Sequence, residues 1–399
     1  AALIGFTVGG ALCFVWVQLF PDSPMLIPAL FLTVPAIVLT DVCLTTVKFK
    51  RVIRWDVWAR CIIEPWSFLG LAGLFWFLGM KEQGLIFAYA GSTIAACICA
   101  VIGLIAVSGF RKLITSKPNF KTWPGIIKRS VPVGITDIGV MSLRRIDLIV
   151  LSIFVGPAAV GLYYMAQQVV TIPQKVSALF EPMLSPVIAK LHNQKNSGQI
   201  RDTLLSICRW VFILQLALSI PIIIFSDLIL GLFGDEFRAA AMILSIIVVA
   251  ELIDGTFLSV ETPLVYAKPR IPPTLLVMTL IILVGAIAGL SPIWGAEGAA
   301  AGFLIAMVFL TSARLFMLKR HLGIAILNTS YYIPAAAGGL LGFGLWTLRS
   351  LPINSAITNI TGIIFGLLIF ALIIKTFALT PSDRDLIGAM SRKKKTAVS

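Results

Sequence analysis

Apolar runs of about twenty residues recur along the whole chain, separated by short polar breaks, and no stretch alternates apolar with polar as a half-buried strand would. A bilayer core takes roughly 20 helical residues to cross. Backbone groups in lipid must be satisfied within their own segment, so long apolar runs predict helices, and the missing alternation argues against a barrel. The runs fall at 1–20, 25–46, 57–79, 84–108, 131–155, 158–189, 204–226, 239–265, 272–291, 294–317, 331–348 and 354–378. The pattern predicts an all-α, polytopic helical membrane protein with about twelve transmembrane helices. The sixth run is over-long and holds Pro173, Pro182 and Pro186, so its last turns are expected to kink out of the bilayer or lie beside it.

Composition agrees with that reading. Hydrophobic residues make up 58% of the 399 and charged residues 13%, with mean hydropathy +0.98, where a soluble domain carries roughly 25% charged. Charge then orients the chain. Counted from the first, the odd connections carry only Lys81, Arg238 and Arg349, whereas the even ones and the C-terminal end, taken with Arg60, Arg209, Arg314 and Lys375 at the run edges beside them, carry 26 basic residues. Basic residues stay on the cytoplasmic side, which predicts cytoplasmic ends for the visible chain in an inner membrane. The net charge of +14 then sits against anionic lipid headgroups and needs no nucleic acid.

The odd connections are too short for an outer domain, and the longest, near 227–238, carries only Asp227, Asp235, Glu236 and Arg238. Function is therefore expected between the helices. The six cysteines lie in or beside apolar runs and read as small buried residues; Cys97 and Cys99 face different sides of a helix. His192 and His321 sit in connections without a nearby cysteine or carboxylate pair. Nothing here asks for a metal or cofactor, and the material for a histidine-centred enzyme is nearly absent. No signal peptide is evident. The chain opens on Ala1 directly into an apolar run, without an initiator methionine, as a fragment would.

Charges inside the apolar runs are the informative residues, because each costs at least about 2.5–3.5 kcal/mol in the bilayer core unless it meets a partner or a cavity. In the fifth run Asp137 and Arg144 share a face, Arg144 and Asp147 are within reach, and Arg145 points about 100° away. Gln168, Thr171 and Lys175 form a polar strip in the sixth run, with Glu181 beyond. Glu251 and Asp254 lie near mid-depth in the eighth, and Asp41 and Glu64 toward the inner ends of the second and third. Two readings stand. Arg144 with Asp147 could be a structural ion pair, Glu251 and Asp254 packing groups, and Asp41 and Glu64 partners of the basic face. Alternatively Arg144, Arg145 and Lys175 line a wet hollow that accepts an anion, since arginine presents a planar fork to phosphate and lysine a compact charge. The nearby carboxylates would then take up H⁺ or Na⁺.

The segment LRRIDLIVLSIFVGPAAVGLYYMAQQVV, the following Pro182–Leu191 stretch, and LILGLFGDEFRAAAMILSIIVVAELI resemble the polysaccharide biosynthesis and export family. Its members move lipid-linked oligosaccharides across membranes and belong to the multidrug/oligosaccharidyl-lipid/polysaccharide exporter superfamily. The resemblance implies two six-helix lobes in a V with two extra C-terminal helices, and tight outer turns at Gly156, Gly161 and Tyr163 and again at Gly231 and Gly234. It divides the chain into a partial first lobe (1–108, four spans), a cytoplasmic connection (109–130), a six-helix lobe (131–317), two extra helices (318–378) and a basic tail (379–399). Two N-terminal helices of the first lobe would be missing.

By the same resemblance Arg144 or Arg145 with Lys175, and Gln168 in the same strip, would bind pyrophosphate or acidic sugars. Asp137, Asp147, Glu251 and Asp254 would couple transport to an ion. The expected activity is flipping of a polyprenyl-diphosphate-linked O-antigen, capsule or exopolysaccharide unit by alternating access, with membrane lipids, a glycan polymerase and chain-length machinery as neighbours. A multidrug exporter of the same superfamily is the nearest rival, disfavoured by the three cations. A membrane-embedded enzyme of glycan assembly is a further one, disfavoured by the short outer connections.

Overall fold

A computed structural model describes residues 2–19, 30–49, 52, 54–80, 83–109, 139, 141–142, 145–194, 196–351 and 356–378. Every regular element among them is helical, as the apolar runs predict. Five of the described helices are both long and apolar enough to cross a membrane. Large apolar side chains such as Ile153, Phe77 and Ile357 point outward, 73%, 89% and 76% exposed, a surface that only lipid solvates well. This is a polytopic helical membrane protein.

The chain divides into two compact units, 1–124 and 125–399. In the first, α1 (Ala2–Leu19) packs on α2 (Val34–Phe49), and α4 (Gln83–Ser108) packs on both α2 and α3 (Glu64–Phe77). A short turn (Arg54–Val57) and a π-helical turn (Trp58–Ile63) lead into α3. Asp41 on α2 pairs with Arg60, and Lys48 meets Asp56 at 2.9 Å. All four side chains keep some solvent contact, in keeping with carboxylates that answer a basic end.

The second unit is built around α8 (Ala241–Phe257), which touches α6 (Pro157–Asn193), α7 (Ser197–Ile224) and α9 (Ile271–Leu322). α5 (Ile146–Phe154) lies on α9. α10 (Tyr332–Ser350) attaches to α7, and α11 (Ala356–Ile373) to α10. Helix α6 stays helical for 37 residues through Pro173, Pro182 and Pro186, about 55 Å of rise against a hydrocarbon core of about 30 Å. It therefore outruns the bilayer, in keeping with last turns that leave the hydrocarbon core. The eighth apolar run is not one helix: α8 ends at Phe257, a 3₁₀ turn covers Leu258–Val260, and Glu261–Ala267 resumes.

The ninth and tenth runs are joined without a loop. Gly295 alone reverses the direction, at φ 57° and ψ −135°, a conformation essentially reserved for glycine. The two arms of α9 then close tightly, because a Cβ on Gly302 would lie 2.9 Å from the Ile287 nitrogen and one on Gly298 would strike the Leu290 carbonyl. At the turn before α8, Gly234 takes φ 146° and a Cβ on Gly231 would lie 2.8 Å from Arg238 Nε, as the resemblance implies there. Gly161 differs: nothing lies within 4 Å of its Cβ position, so the close contact expected there belongs to the buried Tyr163 alone.

Chain ends assigned to one side by charge meet in space within this unit. Leu191, Leu264, Leu318 and Ile324 share one buried cluster, and His192 stacks on Tyr266. Near the opposite ends, Arg349 reaches the Ile224 carbonyl and pairs with Asp227 at 2.7 Å.

Candidate functional site

Helix α6 carries two polar strips. Gln168, Thr171 and Lys175 make the outer one. The inner one, Tyr163, Gln167, Gln174 and Ser177, is spaced by four, seven and three residues, so it faces one way. Each polar group in a span needs a partner, and the inner strip finds its partners on α5, α7 and α8.

Asp147, in the first turn of α5, is fully buried. It accepts from the Tyr163 hydroxyl at 2.9 Å, from the Gln167 amide, and from the Leu148 N–H at 2.8 Å. Two turns of α6 further on, Gln174 donates to Glu251 of α8 at 3.1 Å. Further along still, Ser177 donates to the Gly255 carbonyl at 2.9 Å. The Gln215 amide of α7 sits 3.1 Å from Ser177 Oγ and within reach of the Glu251 and Leu252 carbonyls, at 3.2 and 3.1 Å. Gly255 is what lets these groups close up, since a Cβ there would overlap Gln215 and lie 2.8 Å from Ser177 Oγ.

A cavity of about 150 Å³ opens where α5, α6, α8 and α9 meet. Arg145, Gln167, Gln168, Thr171 and Gln174 give it a polar wall, and Met141, Val170, Ile247 and Phe303 an apolar one. Arg145 is exposed and pairs with no carboxylate among the described residues. Lys175 is likewise exposed and unpaired among them, one turn beyond Thr171 on the same face, but it is not among the lining residues. Arg144 and Asp137 lie outside the described residues. Of the cations expected to share a hollow, the structure places Arg145 at one, with Gln168.

Asp254 has a different setting. Arg314 Nη1 meets it at 2.6 Å, Thr311 lies 3.4 Å away, and Arg314 Nη2 meets Glu261 at 2.7 Å. The Asp254 and Arg314 side chains are each under a tenth exposed. The sequence reading assigns Arg314, and Arg209, to basic connections; both are buried inside helices, and removing them leaves the charge asymmetry almost unchanged. Residues that sequence reasoning missed are thus Arg314, Glu261, Gln167 and Gln174. Adjacent glutamines in an otherwise apolar run, with a third seven residues after the first, were the available signal.

The comparisons with known proteins fall on this framework. A sequence profile described as polysaccharide biosynthesis protein matches residues 6–192, which include α5, α6 and the polar wall. Just under half of the chain is thus similar to the polysaccharide biosynthesis protein family. The teichuronic acid biosynthesis protein TuaB of Bacillus subtilis (strain 168) is 30% identical over 111 residues, 27% of this chain. That match spans 23% of the relative's length. Among solved structures, the lipid II flippase MurJ in its inward closed conformation aligns with TM-score 0.68 and 17% identity, covering 97% of this chain and 84% of its own. At that identity the likeness speaks for the fold alone.

Proposed function

We propose that the protein flips a polyprenyl-diphosphate-linked oligosaccharide across the cytoplasmic membrane by alternating access. The observation that carries this reading is the polar cavity of the second unit, whose polar wall falls inside the segment matched by the polysaccharide biosynthesis protein profile and holds Arg145, which pairs with no carboxylate among the described residues. A guanidinium without a carboxylate partner is poised for an anion such as diphosphate. Arg144 and Lys175 are the further cations of the proposed site, and Gln168 its hydrogen-bonding neighbour. A transporter is favoured over an enzyme because the family match and the MurJ-like fold point that way. The cargo is an O-antigen, capsule or exopolysaccharide unit. The basic connections and tail face the cytoplasm, and a glycan polymerase with chain-length machinery would receive the product.

Coupling to H⁺ or Na⁺ falls to Asp137, Asp147, Glu251 and Asp254. Their present partners differ: Asp147 and Glu251 hold amides, whereas Asp254 holds an arginine. The first two are the better placed to report on the cavity.

The test is reconstitution. Proteoliposomes holding the full chain should move a polyprenyl-diphosphate oligosaccharide between leaflets, and alanine at Arg144, Arg145 and Lys175 together should abolish that movement at unchanged protein level. Unimpaired flipping by the triple variant would remove the proposed site; no flipping by the parent of a panel of such lipids would remove the function.

A further inference from the structure

The wall of the cavity is richer in amides than in cations. Gln167, Gln168 and Gln174 line it together with the Thr171 hydroxyl, beside the single described cation Arg145. A diphosphate only accepts hydrogen bonds, so it matches the N–H half of an amide and opposes the oxygen. A sugar hydroxyl or N-acetyl group donates and accepts, as an amide does. Two carboxylates stand behind this wall, Asp147 holding Gln167 and Glu251 holding Gln174. Their charge disfavours an anion drawn deep against the amides and does not penalise a neutral polyol. They also fix the two glutamines, which lowers the entropy lost when a ligand hydrogen-bonds to them. Phe303, 7% exposed, also lines the cavity and offers an aromatic surface to the apolar face of a sugar ring.

We propose that this amide face of α6 reads the sugar portion of the cargo, with Gln167, Gln168 and Gln174 as specificity residues and Arg145 taking the diphosphate at the rim. The assignment rests on the flippase reading and divides its site into two chemistries. Gln168 makes no side-chain hydrogen bond among the described residues, so it can be changed without disturbing either carboxylate. The other two are already committed by one N–H each.

The experiment uses the full chain in nanodiscs and native mass spectrometry. The probes are undecaprenyl diphosphate, bare or carrying one hexose, one N-acetylhexosamine or one hexuronic acid. The parent should hold at least one glycosylated lipid about tenfold tighter than the bare one. Gln168→Met, and separately Gln167→Ala with Gln174→Ala, should bring the glycosylated lipids down to the affinity of the bare one and so erase that preference. Arg145→Ala should weaken all four probes together. A parent that binds bare and glycosylated lipids alike, or glutamine variants that keep the parent's preference, would overturn the sugar assignment and leave the flippase reading standing. A parent that binds none of the four would take down both.

Discussion

Arg314 of α9 lies 2.6 Å from Asp254 of α8, and both side chains are almost wholly withdrawn from solvent. The same guanidinium reaches Glu261 across the 3₁₀ turn, so one cation pins both pieces of the broken eighth span to the second arm of α9. Removing one member of a buried pair leaves an uncompensated charge, which costs about 3–5 kcal/mol. Arg314→Met should therefore lower the thermal unfolding midpoint of the purified protein sharply. Adding Asp254→Leu to that variant should recover much of the loss, while Asp254→Leu alone should be strongly destabilising.

Gly255 makes a steric prediction. Gly255→Ala places a methyl group against Gln215 and Ser177, and overpacking of this kind costs about 1–3 kcal/mol. Combined with Gln215→Ala, the methyl group gains room, so the two effects should fail to add. A double-mutant cycle on unfolding in detergent measures the coupling.

Tyr163 is the donor that Asp147 can lose with least change of shape. Tyr163→Phe keeps the ring and removes a hydrogen bond to a buried carboxylate, a loss of about 1.5–3 kcal/mol. Stability should fall by that amount in chemical unfolding. A change no larger than that of a lipid-facing control such as Ile153→Val would contradict it.

The arms of α9 supply their own control. Gly302→Ala and Gly298→Ala push a methyl group into the facing backbone and should reduce the yield of folded protein, Gly298→Ala the more. Gly289 has nothing within 4 Å of its Cβ position, so Gly289→Ala should be neutral or stabilising by about 0.5–1 kcal/mol. Comparing the three by thermal unfolding separates close approach from helix propensity.

The fold was largely legible because lipid imposes one rule on every span, and hydropathy records that rule locally. Gly295 shows how far it goes: the break near 292–293 is visible in sequence, but a single-residue reversal is not, since it depends on what faces Gly298 and Gly302. The site was less legible for the same reason. Asp147 could be flagged as costly in a membrane, yet its partners are 16 and 20 residues away on another helix. Arg314 was misplaced because its run ends in Lys319 and Arg320, so it reads as the edge of a basic loop; only Asp254, 60 residues earlier, explains why it stays inside. Lys175 and Gln168 were grouped by helical spacing, which fixes a shared face but not the depth at which each side chain meets a hollow.

The reversal at Gly295 has a mechanical corollary. A hairpin whose arms are joined by one residue has no slack, so neither arm can slide past the other; α9 must travel as a single strut, carrying Phe303 at the cavity and Arg314 at the ion triad in fixed proportion. The chain after Gly323 also runs without helix, to Asn328, but the buried Ile324 and Ile326 anchor it to the same core.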